Sequence, residues 1–567
     1  MAQIDPLHPT AETTRLSGIP AGPGAAVGPV ARMAAPPSLP VERPAVDDPG
    51  EEAERARRAL EEVGALLDRQ AAGLEGEAAA VLGAQALMAR DPELARRVGE
   101  RAGEGDPAAW AVHSACGTYQ ELLLEAGGYL ADRAADLADI RDRAVALLLD
   151  RPMPGLPDPG VPHVLVADDL APADTVRLDP GGVLGIVTRH GGPTSHTVIL
   201  ARALGIPAVV GCGGAEGLAD GVRVAVDGDE GTVLVEPDEE SADRLRRRAE
   251  RTRALLAGST GPGRTADDVA IPLLLNVGEG DPHKAGAHDS EGVGLLRTEF
   301  LFLDRTEPPS IGEQTDVYTA LFEEFAGRVV TVRTLDAGSD TPLAFAPTGQ
   351  EANPALGVRG FRTSRLHPEL LTAQLAAIAA ASGRSSARVR VMAPMVSTPD
   401  EAAAFVALAR EAGLSDAGVM IEVPGAALLA DRLLPLVDFV SIGTNDLAQY
   451  TMGVDRTLGA LPDLLDPWQP ALLRLVGAVG EAGERSGRPV GVCGEAASDP
   501  LLALVLVGLG ATSLSMSASA LAAVRHALAL HTRERCRGLA EVALAASGAE
   551  RAREAVRAAA DPASVGR

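Results

Sequence analysis

From about residue 264 the chain repeats one pattern: a short apolar run, a polar turn, then a stretch with apolar residues at helical spacing. The runs fall at 271–277, 292–296, 329–332, 389–395, 418–421, 439–442, 490–492 and 513–516, and they are rich in Val, Leu and Ile. Their length suits buried strands, whereas 399–412 and 472–482 carry apolar residues three and four apart and predict helices. Eight strands with helices between them predict a (β/α)8 barrel over 264–567. Polar residues gather at the carboxyl ends of these strands: Arg297-Thr298-Glu299, Arg333, Glu422, Asn445-Asp446 and Cys493-Gly494-Glu495. That end is where such barrels build active sites.

Upstream the pattern differs. Residues 1–15 are polar, and 17–30 are rich in Gly and Pro, predicting turns that lead into a strand. From 47 to 149 Ala, Leu, Glu and Arg recur at helical spacing, broken at Asp91-Pro92 and at 103–107, which predicts a helical bundle. Strand-like runs resume at 163–167, 183–187 and 208–210 and end at 233–235. The expectation is one α/β domain made of 1–46 and 150–236, split by a helical insert at 47–149. Residues 237–263 combine a charged helical run with a Gly-rich break, predicting a linker between halves that move.

Composition narrows the partners. A net charge of −27 argues against nucleic acid and anionic membranes, which call for clustered Lys and Arg, and favours a basic protein partner. No apolar stretch is long enough to span a bilayer and the first residues lack a signal-peptide pattern, so the expected location is the cytoplasm. Cys116, Cys212, Cys493 and Cys536 are scattered without metal-ligand spacing, so neither zinc nor a disulfide framework is expected.

Three places carry candidate chemistry. In Gly191-Gly192-Pro193-Thr194-Ser195-His196-Thr197 a tight turn after an apolar run leads into a helix that Gly205 and Pro207 stop, which places His196 at a helix N-terminus. Orphan N–H groups and the helix dipole favour an anion there, so His196 reads either as a phosphoryl acceptor or as a surface histidine. Glu422 and Asp446 come from adjacent strand ends and suit either Mg²⁺ or general acid/base work; nearby Arg297, Arg333 and Arg456 favour a small polyanion held by metal and arginine together. Cys493 is either a proton donor or a packing residue.

The His196 loop with the Ala201-Arg202-Ala203-Leu204-Gly205-Ile206-Pro207 run resembles the phosphohistidine motif of enzymes that use phosphoenolpyruvate. Gly292–Phe300, Asn353–Arg359, Ser441–Gln449 with Tyr450–Arg456, and Cys493-Gly494-Glu495 extend that resemblance to Enzyme I of the phosphoenolpyruvate:sugar phosphotransferase system, in the same domain order. The resemblance implies that His196 accepts the phosphoryl group through Nε2 and passes it to the phosphocarrier HPr. It further implies that Glu422 and Asp446 hold Mg²⁺, and that Arg297, Arg333, Asn445, Asp446 and Arg456 bind phosphoenolpyruvate. Cys493 then protonates the enolate at C3, and Thr175 orients the His196 ring. The insert implies an HPr-docking helix at 84–94, with Leu87 as apolar contact and Asp91 and Glu93 as acidic rim, and the barrel implies a homodimer.

The chain departs from the family pattern at Pro193, at Arg189-His190, at Arg90 and at Thr341. A pyruvate phosphate dikinase or phosphoenolpyruvate synthase is the nearest rival, disfavoured because no nucleotide-binding domain precedes His196. A scaffold without turnover is the other, disfavoured by the intact His196, Glu422, Asp446 and Cys493.

Overall fold

The structure is a computed structural model that describes residues 14–22, 24–34, 36–71, 77–126, 129–157, 159–168, 170, 178, 181–191, 197–198, 201, 204–278, 285–303, 305–338, 343–349, 351–455 and 461–565. The described residues up to Arg246 form one compact unit and those from Arg247 another. That border falls inside a single charged helix, Glu239–Ala257.

The first unit is a mixed eight-stranded sheet with a helical insert. Strands β1 (Thr14–Ser17), β2 (Ile19–Gly22) and β3 (Ala25–Arg32) come before the insert. After it follow β4 (His163–Ala167), β5 (Val183–Thr188), β6 (Ala208–Val210), β7 (Arg223–Asp227) and β8 (Thr232–Val235), in the order β1-β8-β7-β3-β4-β5-β6-β2. Where the sequence predicts turns leading to one strand, the backbone makes three, because β1 and β2 each find a partner distant in sequence, β8 and β6. The insert comprises helices α1 (Pro49–Ala71), α2 (Glu77–Ala89), α3 (Pro92–Gly103), α4 (Ala108–Ala126) and α5 (Tyr129–Leu148). They share a core of their own, with Leu60, Val63, Leu67, Leu94, Val98 and Ile140 buried.

The second unit contains a closed barrel of eight parallel strands, β9 (Leu273–Val277), β10 (Gly292–Leu296), β11 (Val329–Arg333), β12 (Arg388–Ala393), β13 (Ala417–Ile421), β14 (Val440–Gly443), β15 (Val490–Cys493) and β16 (Ser513–Met516). Every predicted run contributes a strand. The run at 389–395 stops early, at Ala393, because Pro394 has no N–H to continue the ladder and Met395 turns to φ +58°. Caps start the surrounding helices where the sequence punctuates: Ser310 and Glu313 form a reciprocal capping box on Ile311–Glu324, Thr398 caps Pro399–Glu411, and Asp499 caps Pro500–Gly508. The last of these is apolar on all sides, and Leu501 through Val507 are all buried, as a helix without a polar face must be. Among the described residues no helix is long and apolar enough to cross a membrane.

Candidate active site

At the carboxyl ends of the barrel strands, charged side chains form a buried chain of ion pairs. Glu299, just past β10, lies with Oε2 3.0 Å from Arg333 Nη2, and its Oε1 accepts from the Asp336 N–H at 2.9 Å. Arg333 Nη1 is 3.1 Å from Asp336 Oδ2, and the same oxygen is 3.0 Å from Arg359 Nη2. Arg359 Nη1 then reaches Asp446 Oδ1 at 3.3 Å. Burial works to lower the pKa of Arg333, but the charges of Glu299, Asp336 and Glu422 outweigh it and raise it.

Glu422 follows β13 and is wholly buried. Its Oε1 accepts from the Met395 N–H at 2.6 Å, which the left-handed backbone at Met395 aims inward, while Oε2 has no hydrogen-bond partner. Burial, then the charges of Asp446 and Asp336, push its carboxyl up to about 8, against the pull of Arg333. Oε2 lies over Gly443: a Cβ at that position would stand 2.7 Å from it. Asp446 occupies the first turn of the helix Thr444–Met452, where the dipole favours an anion.

Four carboxylates, Glu299, Asp336, Glu422 and Asp446, against the paired guanidiniums of Arg333 and Arg359 leave a formal surplus of two negative charges. With an orphaned carboxylate oxygen beside Asp446, this donor set fits a hard divalent cation. Among the described residues no three His, Cys, Asp or Glu side chains cluster into a cage. Mg²⁺ does not need one, because it keeps several waters.

Cys493 ends β15 with its thiol buried, accepting a hydrogen bond from Ser441 Oγ at 3.1 Å and lying 3.6 Å from the Ile442 carbonyl. Burial raises its pKa to about 11, so it is a protonated thiol at neutral pH. Arg297, Arg333 and Glu422 are all near enough for their charges to act on it.

Of the residues singled out from the sequence, Arg297, Arg333, Glu422, Asn445, Asp446 and Cys493 come together at this barrel mouth. Arg297 is exposed and has no ion-pair partner among the described residues. Arg333 differs: two of its nitrogens are already clamped by Glu299 and Asp336, and only the buried Nε lacks an acceptor. His196, Thr175 and Arg456 lie outside the described residues.

On the insert, the stretch read as one docking helix is two, with a turn at Arg90-Asp91 between α2 and α3. Leu87 is 72% exposed. Asp91 is spent as the N-cap of α3, accepting from the Glu93 N–H at 2.7 Å. Glu93 is paired with Arg96 at 2.6 Å and Arg97 at 2.8 Å, the hydrogen bond from Arg96 doing most to lower its carboxyl to about 2. The acidic rim expected there is therefore largely internally neutralised.

Sequence reading missed Asp336 and Arg359 as site residues. The signal lay in Gly357-Val358-Arg359-Gly360: Gly360 at φ +58° carries the loop tightly past Asp336, where a Cβ would stand 3.1 Å from Oδ1.

Residues 17–133, 160–231 and 256–533 match, respectively, the N-terminal, the mobile and the PEP-binding domains of the PEP-utilising enzymes. A phosphoenolpyruvate-protein phosphotransferase of Streptomyces coelicolor is 51% identical over 552 residues, covering 96% of this chain and 99% of its own length. Another from Haloferax volcanii is 40% identical over 510 residues, 87% of this chain and 89% of its own. A third, from Bacillus subtilis, is 34% identical over 562 residues, 94% of this chain and 98% of its own.

Proposed function

Since the chain belongs to the PEP-utilising enzymes, and within them to the phosphoenolpyruvate-protein phosphotransferases or Enzyme I proteins, we propose that it moves the phosphoryl group in two steps, from phosphoenolpyruvate to His196 and from His196 to HPr. The observation that carries this reading is the barrel mouth, where the surplus negative charge, the orphaned Glu422 Oε2, the exposed Arg297 and the protonated Cys493 converge.

In the first step Arg297 and the Arg333 Nε bind the anionic substrate, and Asn445 donates to it. Glu422 and Asp446 hold Mg²⁺, which when bound supplies charge neutralisation to the substrate oxygens. His196 Nε2 attacks phosphorus in line, with Thr175 orienting the ring and Arg456 completing the anion site. The departing enolate takes the Cys493 proton at C3 and leaves as pyruvate. Positioning and electrostatics lower the barrier, as phosphoryl transfer demands.

In the second step HPr docks on the helical insert with Leu87 as its apolar anchor and receives the group. This is the entry reaction of sugar uptake by the phosphotransferase system, carried out in the cytoplasm by a homodimer joined through the barrel.

Incubation with phosphoenolpyruvate labelled in its phosphoryl group, with Mg²⁺ and with or without HPr, tests the reading. Acid-labile label on His196 that passes to HPr supports it; label that requires ATP, or no label at all, overturns it.

A further inference from the structure

Below the reacting face Leu295, Met392, Met420 and Phe439 pack with Cys493 inside the barrel, and a patch of small polar residues and glycines lies beside them. A cavity of about 20 Å³, room for one water, is lined by Ser441, Ser513, Ser515, Thr331, Gly294 and Gly491. It shares Leu274, Arg390, Pro489 and Ser513 with a larger cavity of about 510 Å³ at the opposite, N-terminal end of the barrel, bordered by Arg388, Arg488 and Thr512. Ser441 thus stands between the Cys493 thiol, to which it donates at 3.1 Å, and a cavity that leads away from the substrate.

Gly491 makes the link. The point a Cβ there would occupy lies 3.1 Å from Ser513 Oγ and 3.7 Å from Ser441 Oγ, so both hydroxyls flank the bare Gly491 backbone, and both line the small cavity in which one water can bridge them. Neither a hydrogen bond nor an ion pair engages Ser513 Oγ among the described residues, whereas Ser515 Oγ is bound to Asn276 Oδ1 at 2.6 Å. The chain Ser513, water, Ser441, Cys493 therefore runs along the axis from the N-terminal cavity to the reacting thiol.

We propose that Ser441 is a positioning and proton-supplying residue for Cys493, fed with protons from solvent through the N-terminal end of the barrel. The inference rests on the reading of Cys493 as proton donor. When the S–H bond breaks and a C–H bond forms at C3 of the enolate, a thiolate remains. The Ser441 hydroxyl, already aimed at Sγ, passes its proton to sulfur while accepting one from the water over Gly491. Solvent replaces that proton by way of Ser513, so one proton enters for each pyruvate formed and the cycle closes. The route uses the face of the barrel opposite the substrate, so the thiol is recharged without opening the mouth to water.

Two variants of the full chain test this, Ser441→Ala, which removes the donor, and Gly491→Ala, which plugs the space while leaving both Ser441 and Cys493 in place. With labelled phosphoenolpyruvate, Mg²⁺ and HPr, each is expected to form phosphohistidine within twofold of the parent rate, a readout that also shows the variant folded. Each is expected to make pyruvate at least fivefold more slowly, with KM for phosphoenolpyruvate unchanged, a larger solvent deuterium isotope effect and enolpyruvate released into solution, visible by its transient ultraviolet absorbance. Parent-like pyruvate formation and isotope effect in both variants overturns the path. Cys493→Ala separates the two levels: if it alone is impaired, only the path fails, and if it too makes pyruvate at the parent rate, the proton-donor reading fails with it.

Discussion

Arg359 Nη1 lies 3.3 Å from Asp446 Oδ1, with both side chains buried, while the other end of the same guanidinium grips Asp336. Asp446 is thereby tethered to Arg359, near enough to Glu422 for its charge to push that carboxyl's pKa up.

Loss of that fork costs more than one contact, because Arg359 holds two acids in fixed geometry and a lysine ammonium reaches only one of them. Arg359→Lys is expected to lower turnover by at least about tenfold, from a charge-assisted bond of about 1.5–3 kcal/mol. Steady-state pyruvate formation at saturating Mg²⁺ checks it; an unchanged kcat removes Arg359 from the site.

Glycine at 443 is required by the Glu422 carboxylate and not by its own backbone, since the residue has no positive φ. Gly443→Ala places a methyl 2.7 Å from Glu422 Oε2 and displaces the oxygen that has no protein partner. Expected are a KM for Mg²⁺ raised about tenfold or more, corresponding to at least about 1.4 kcal/mol, and a thermal midpoint within a few degrees of the parent.

The buried, crowded Glu422 carboxyl sets a pH dependence. Its folded pKa, about 8, lies above the ordinary value of 4.5, so the folded chain binds more protons than the unfolded one between those limits and the metal-free protein loses stability as pH rises through them. Glu422→Gln is expected to stabilise the metal-free chain at pH 8 by about 1–3 kcal/mol, with the gain vanishing below pH 4.5, and to abolish turnover. Because a cation must displace the proton, Mg²⁺ affinity of the parent is expected to rise with pH up to about 8, measurable by calorimetry together with proton release.

Leu87 projects from a helix whose neighbouring acids are already engaged, so docking of HPr is expected to lean on apolar contact more than on charge. Leu87→Asp should raise KM for HPr about tenfold, in line with about 1.5–3 kcal/mol for burying a leucine, without changing label uptake from phosphoenolpyruvate. A carrier KM that leaves Leu87→Asp untouched but climbs steeply with salt restores the acidic rim.

His196→Ala is expected to abolish both label uptake and HPr-driven pyruvate formation. Persistence of either would show that the phosphoryl group travels by another route.

The alternation of apolar runs and helical stretches was enough to specify the barrel, its strand order and the end at which its polar residues collect, because those depend on local periodicity and on connections that follow the chain. Residue type and position likewise marked Glu422, Asp446, Cys493 and Arg297. Only the tertiary structure decided which charges neutralise one another. It committed Arg333 to Glu299 and Asp336, brought Arg359 onto Asp446 from a loop 87 residues away, and left Glu422 Oε2 without a hydrogen-bond partner among the described residues. Ion pairing depends on distances of a few ångströms between segments remote in sequence, and no periodicity along the chain encodes those distances.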